Sequence, residues 1–326
     1  MVIDEAMARS DWPMDTGHGW GSTGAVGTRE PVFTWTPSGP AADGRAVLGR
    51  VAQREGGART DRLRFGTYLV SNATTLALYE LVTEQVGRRL DLPTELVVET
   101  SYESCERDQN EVCFVCSLPY VAFERRGLDL AVPVAAPVLQ GERYGGRPIY
   151  FSDVIVHRDS PFLTFLDLRG RSWAYNEPLS WSGYGITRYH LVTLGETNGF
   201  FREVVEAGFH REAIRMVARG EVDGSAIDSQ VLSIELRDHP DLAEHVRVVD
   251  ALGPSTIQPV AVSRRVPEDL REAIRDALVT MAEDPAVRER LAVGLVKRFV
   301  AVDAGSYDDI RVMVDTCEAA GFMELR

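Results

Sequence analysis

From Leu63 onward the apolar positions alternate between short continuous runs and stretches with helical spacing. Leu63–Val70 (LRFGTYLV) reads as a strand and Asn72–Leu90 as an amphipathic helix, with Ser71 as its expected N-cap. Strands are predicted at Leu96–Glu99, Glu111–Cys116, Leu130–Val138, Ile149–His157, Ser172–Tyr175, Gly224–Ile227, Val246–Leu252 and Val260–Ser263. Helices are predicted from Ser117 to Arg125, from Ser180 to about Thr193, and over His210–Arg219 and Ser229–Arg237. Phe200–Val205 is short and mixed. The end of the chain is helical over Glu268–Glu283, Ala286–Val293 and Tyr307–Ala320, and Pro267 and Pro285 suit first-turn positions. Strands alternating with helices predict an α/β protein with largely parallel sheets, and two successive β/α blocks predict two lobes. Ligands of such sheets sit at the carboxyl ends of strands, where helices begin.

Residues 1–60 differ: 10 Gly and 4 Pro interrupt them, and the one candidate element is a helical turn at Val47–Arg54. They are expected to form a disordered or irregular arm. The whole chain of 326 residues carries 35 basic and 49 acidic side chains, a net charge of −14, which argues against nucleic acid and anionic membrane surfaces as partners. It leaves a small anion open as a ligand, because backbone N–H groups can hold one locally. Lys297 is the single lysine, so Schiff-base and P-loop chemistry lack a candidate elsewhere. No apolar run is long enough to span a membrane. The opening MVIDEAMARSDWPMDTGHGW is acidic and has no apolar leader core, so the chain as written reads as cytoplasmic. Four cysteines are too few for a disulfide scaffold, and Cys113 and Cys116 read as small residues ending a buried strand.

The candidate chemistry clusters at predicted helix starts. In Tyr175–Tyr184 (YNEPLSWSGY) a strand ends, Pro178 turns the chain, and Ser180-Trp181-Ser182-Gly183 opens a helix. Two short hydroxyls, a glycine that lets the backbone approach, and unpaired first-turn N–H groups make an anion cradle; plain capping accounts for the same serines. A second start, Gly208-Phe209-His210, offers an imidazole donor, and a third is Ser71-Asn72. Asp228 and Gln230 follow a strand at another such edge. Tyr150 and Ser152 share a strand face. Hydrolase, zinc-protease and P-loop signatures are absent, and the six histidines have no metal-ligand spacing, so neither a metal nor a cofactor is expected.

Ser152–Pro161 (SDVIVHRDSP), Asp167–Gly170 (DLRG), Pro178–Tyr184 (PLSWSGY), Gly208–His210 and Val217–Asp228 (VARGEVDGSAID) together, in this order, resemble the phosphate-, phosphite- and phosphonate-binding subunits of ABC transporters. The resemblance covers about residues 63 to 326. It implies a type II periplasmic-binding-protein fold: one lobe of 61–155 plus 260–326, another of 156–259, a two-strand hinge and an interlobe cleft. The family holds its oxyanion with a Ser-Thr-Ser-Gly helix start, which corresponds here to Ser180, Trp181, Ser182 and Gly183, an indole replacing the middle hydroxyl. A family tyrosine corresponds to Tyr150, and a family histidine to His210 with Phe209 inserted before it. Ser71 or Asn72 would complete the cage from the other lobe. The family's acids for an aminoalkyl group fall near Gln230 and Gln258, which disfavours an aminophosphonate, with Asp228 as a partial substitute.

The expectation is a monomeric solute-binding protein that captures a small phosphate- or phosphonate-like oxyanion and delivers it to an ABC permease. That role would place it outside the cytoplasm, with its start misassigned. The alternatives are a cytoplasmic enzyme of metabolite or cofactor biosynthesis on the same scaffold, for which His210, Cys116 or Asp228 would have to be catalytic, and an intracellular ligand sensor.

Overall fold

A computed structural model of the chain describes residues 61–128 and 131–325. The expectations for residues 1–60, with the turn at Val47–Arg54, lie outside that range.

The first pass of the chain runs β1 Leu63–Thr67, α1 Ala73–Leu90, β2 Thr94–Val98, α2 Glu103–Glu106, β3 Val112–Phe114, α3 Ser117–Arg125 and β4 Ala131–Leu139. It crosses to a second unit made of β5 Ile149–His157, β6 Ser172–Tyr175, a π-helical turn Trp181–Gly185 continuing into α4 Ile186–Thr193, β7 Glu203–Glu206, α5 His210–Ala218, β8 Gly224–Asp228, α6 Ser229–Asp238, α7 Pro240–His245 and β9 Val246–Thr256. It returns with β10 Val260–Ser263, α8 Glu268–Thr280, α9 Pro285–Val293, β11 Val296–Ala301 and α10 Asp308–Ala319. The six-stranded sheet has the order β11-β4-β10-β3-β1-β2, and the five-stranded sheet β7-β6-β8-β5-β9.

Both sheets are mixed, not largely parallel. β1 runs parallel to β2 and β3, and β6 to β7 and β8. The outgoing strands β4 and β5 pair antiparallel with the returning strands β10 and β9. A chain that leaves a sheet and comes back beside its exit point must reverse direction there, and alternation of strands with helices carries no trace of that reversal.

Local physics explains where the elements stop. Helix α1 buries Leu78, Leu81, Val82 and Val86, a helical-period stripe. Its N-cap is Asn72, not Ser71: the Asn72 side chain accepts from the Thr75 N–H at 2.9 Å. Its far end is closed by Asp91 at φ 52°, whose N–H returns to the Gly87 carbonyl. In the second sheet all five residues of the central strand β8 are buried. Ala213, Ile214 and Val217 of α5 pack there against Ile155, Ala174 and Ile227. The mixed segment after Gly199 resolves into a buried aromatic pair followed by β7. Phe200 stacks on Phe165 at 5.3 Å and Phe201 on Trp173 at 4.8 Å, so the strand begins only at Glu203.

Cys113 is disulfide-bonded to Cys105, which corrects the reading of Cys113 as a plain strand residue; Cys116 and Cys317 are free. The eight-residue separation closes α2 against β3.

Candidate functional site

The carboxyl ends of β1, β3, β6, β7 and β8 open onto one cleft, the place that parallel strand geometry assigns to ligands. The first pass of the chain contributes Tyr68, Leu69, Val70 and Ser71 after β1, Tyr102 before α2, and Cys116 after β3. The second unit contributes Asn176, Glu177, Ser180, Ser182, Gly208, Phe209, His210, Asp228 and Val231. Tyr150 and Gln258 lie beside the two chain crossings. The cleft holds about 600 Å³ of empty space, counting solvent at its mouth.

The turn after β6 forms the polar floor. Ser180 is its N-cap: the backbone is extended and the hydroxyl accepts from the Gly183 N–H at 3.2 Å. Ser180 Oγ lies 3.3 Å from Ser182 Oγ, and Ser182 Oγ lies 2.7 Å from His210 Nε2. All three side chains are buried. Gly183 is required by space: a Cβ there would fall 2.0 Å from Asn176 Oδ1. Gly185 is required likewise, because a Cβ would fall 2.4 Å from the Trp181 ring.

Burial sets the protonation states. His210 is driven down from 6.5 to about 4 by desolvation alone, so at neutral pH it is an uncharged imidazole, and its Nδ1 has no hydrogen-bond partner among the described residues. Asp228 is raised from 3.8 to about 6, mainly by desolvation, against the pull of the Val231 and Gln230 N–H groups it caps at 3.2 and 2.8 Å. Glu177 is raised, first by desolvation, and accepts from the Tyr68 hydroxyl at 3.0 Å. Tyr68 is pushed up to about 12 by burial and by Glu177. Burial raises the Cys116 thiol. No Lys or Arg is among the described residues lining the cleft.

Of the ten residues singled out from the sequence, the structure brings Ser180, Ser182, His210, Tyr150, Ser71 and Asp228 to the cleft wall. It directs the other four elsewhere. The Trp181 indole is 1% exposed and donates to Ser255 Oγ at 2.8 Å, so it is a core residue behind the turn. Gly183 packs on Asn176. Asn72 is spent on capping α1 and on donating to Glu235 Oε1 at 2.7 Å. Gln230 turns away and donates to the Gly294 carbonyl at 2.6 Å. The cleft residues that were not singled out are chiefly Tyr68, Tyr102, Asn176 and Glu177. Asn176 and Glu177 lie inside the YNEPLSWSGY segment, which was the available signal for them.

The model of the family described as ABC transporter, phosphonate, periplasmic substrate-binding protein matches residues 66–307. The chain belongs to this family. Among solved structures it is similar to the binding protein component of an ABC phosphonate transporter from Pseudomonas aeruginosa, with a TM-score of 0.66 at 16% identity over 77% of this chain and 84% of that one. It is similar also to PhnD1 from Prochlorococcus marinus in complex with methylphosphonate, with 0.69 at 14% identity over 79% and 98%. The periplasmic aliphatic sulphonate binding protein SsuA from Escherichia coli matches at 0.57 and 15% identity, over 81% and 88%. At these identities the likeness is one of fold: two mixed α/β units of the type II periplasmic-binding-protein kind. Substrate-binding proteins of this family are periplasmic and serve an ABC transporter, with a small ligand and a permease as partners. Among the described residues no helix is long and apolar enough to cross a membrane, and no cluster of His, Cys, Asp and Glu could hold a metal.

Proposed function

We propose that this protein captures a small phosphorus oxyanion in the cleft and hands it to an ABC permease. The observation that carries the reading is the buried Ser180–Ser182–His210 relay at the cleft floor. With His210 neutral and its Nε2 protonated, the imidazole donates to Ser182 Oγ, and the Ser182 hydroxyl proton is free to donate into the cleft. Neutral donors in a desolvated site bind an oxyanion through charge-assisted hydrogen bonds, each contributing about 1.5–3 kcal/mol. Ser71 would supply a further hydroxyl from the first pass of the chain, and Tyr150 one from beside the chain crossing.

Three hydrogen bonds join the two sides and would hold the cleft closed. Tyr68 bonds Glu177, Asn72 bonds Glu235 at 2.7 Å and Thr74 bonds Asp238 at 3.0 Å, each pair joining the first pass of the chain to the second unit. The crossings between β4 and β5 and between β9 and β10 would serve as the hinge, which moves the first lobe boundary from 155/156 back to residues 140–148, because all of β5 pairs within the five-stranded sheet, and leaves the return at 257–259.

Two carboxyl groups on the wall, Glu177 and Asp228, shape the ligand class. A dianion would face both without a cationic side chain to offset them. The guest that fits has a singly charged oxyanion head and a cationic or hydrogen-bond-donating end near Asp228. The amide of Gln258 in the cleft disfavours an aminophosphonate, whereas Glu177 and Asp228 beside it, with Gln230 turned to Gly294, would favour one.

Ser182 and His210 form a pair of the kind hydrolases use, so the enzyme alternative has a specific form. Two facts oppose it. The imidazole is a weak base at about 4, and among the described residues no carboxylate orients Nδ1. The Cys105–Cys113 bridge favours an oxidising compartment, which supports the extracytoplasmic role.

A thermal-shift panel of phosphate, phosphite, methylphosphonate, 2-aminoethylphosphonate and methylsulfonate tests the reading. A ligand at about 100 times its Kd adds about 2.7 kcal/mol of stability. A shift with phosphonates supports it; no shift across the panel overturns it.

A further inference from the structure

The chain crosses between the two sheets twice, and its C-terminus adds a third connection that is not covalent. Helix α10 follows β11 of the six-stranded sheet, yet it packs against α4, which continues the cleft-floor turn of the other unit. Beyond α10 the chain keeps to that unit. Phe322 and Leu325 are buried. The Leu325 N–H donates to Tyr184 Oη at 3.1 Å. Arg188 donates through Nε and Nη2 to the Phe322 carbonyl at 3.0 and 2.5 Å, and its guanidinium sits 5.5 Å from the Tyr184 ring centroid and 6.0 Å from that of Phe322.

Tyr184 belongs to the same π-helical turn as Ser182, two residues on. Its ring tilts onto Tyr175 at 4.9 Å. On the opposite side the turn is tied by Trp181 Nε1 to Ser255 Oγ of β9, one residue before that strand ends at its crossing. The turn bearing Ser180 and Ser182 is therefore suspended between the hinge strand and the C-terminal segment. Outside support has a physical reason. A π turn carries an extra residue per turn and is rarely stable alone. Relaxation toward an ordinary helix start would rotate Ser182 away from His210. Residues 322 and 325 are tied to that turn through Tyr184 and to α4, its continuation, through Arg188.

We propose that residues 320–325 are a strap that holds the Trp181–Gly185 turn in its capture geometry, with Tyr184 and Arg188 as positioning residues. The proposal rests on the oxyanion-capture reading above. Releasing the strap costs affinity without removing any group that touches the ligand.

The test uses the full chain, a chain ending at Gly321, Tyr184→Phe, and Arg188→Ala with Arg188→Lys as the conservative variant. Two readouts are taken. The first is amide hydrogen exchange across residues 180–188, with β8 as an internal control for folding. The strap predicts faster exchange in the turn and unchanged exchange in β8 for the truncated, Tyr184→Phe and Arg188→Ala chains, with partial rescue by Arg188→Lys. The second is calorimetric affinity for methylphosphonate and inorganic phosphate, expected to fall about tenfold as the Ser182 hydroxyl loses its alignment toward the oxyanion. Unchanged exchange in the turn overturns the strap. Faster exchange with unchanged affinity overturns its role in capture. A full-length chain that binds neither probe, nor phosphite or 2-aminoethylphosphonate, overturns the capture reading and the capture role with it, while the exchange readout still decides whether the strap exists.

Discussion

Protonation of His210 offers the sharpest view of the site's electrostatics. Burial holds its folded value at about 4 against 6.5, and 6.5 − 4 = 2.5 units at 1.36 kcal/mol each is about 3 kcal/mol. The folded value is the lower one. The contribution is therefore fully present above 6.5 and is lost as pH falls from 6.5 to about 4. At about pH 5 the unfolded imidazole is nearly all charged and the folded one nearly all neutral, so about 2 kcal/mol is already gone. Asp228 and Asp309 slope the other way. Both are raised to about 6, mainly by burial, so their contribution is full below 3.8 and is lost as pH rises through about 6. The absolute profile mixes the two slopes, and the difference between two proteins separates them. Urea unfolding of the wild type and His210→Gln from about pH 7.5 to about 5 is the assay; glutamine keeps a bond to Ser182 and does not titrate. The wild type should lose about 2 kcal/mol relative to the variant over that range. Parallel curves would show that His210 is not held neutral, and the donor arrangement at Ser182 would fall with it.

Gly183→Ala should destabilise the protein by about 1–3 kcal/mol through overpacking against Asn176, and Asn176→Ala in the same chain should recover much of that. Differential scanning calorimetry of the cycle measures the coupling; simple additivity would contradict it. The purified oxidised protein should titrate with two accessible thiols on denaturation, Cys116 and Cys317, and with four after reduction. Cys105→Ser should cost roughly 2–3 kcal/mol by loop entropy, read from urea midpoints. Tyr68→Phe removes the hydroxyl that bonds Glu177 across the cleft, and should raise the ligand dissociation rate in stopped flow by roughly two- to tenfold.

The alternation of strands and helices, and the helix starts at Ser180 and His210, could be read along the chain because periodicity and capping are local properties. What could not be read is which way a side chain turns once the elements pack. Trp181 looked like a cleft residue in a motif position, but its indole is buried against Ser255, 74 residues away. Gln230 follows Asp228 by two positions, and that spacing on α6 sends its amide to Gly294 while Asp228 stays at the cleft. Ser71 and Asn72 are equivalent as caps by residue type, and only the backbone geometry chooses Asn72. The Tyr68–Glu177 bond spans 109 residues, and the Cys105–Cys113 bridge depends on where α2 falls against β3. Pairings of this kind belong to the tertiary structure, and no local pattern encodes them.

The central claim is that the Ser180 and Ser182 hydroxyls, backed by a neutral His210, hold an oxyanion. Isothermal calorimetry of phosphate, phosphite and methylphosphonate into the wild type and a Ser180→Ala, Ser182→Ala double variant tests it directly. The account predicts one bound oxyanion per wild-type chain and at least about tenfold weaker binding by the double variant, or 1.4 kcal/mol. Equal affinity in the two proteins would contradict it.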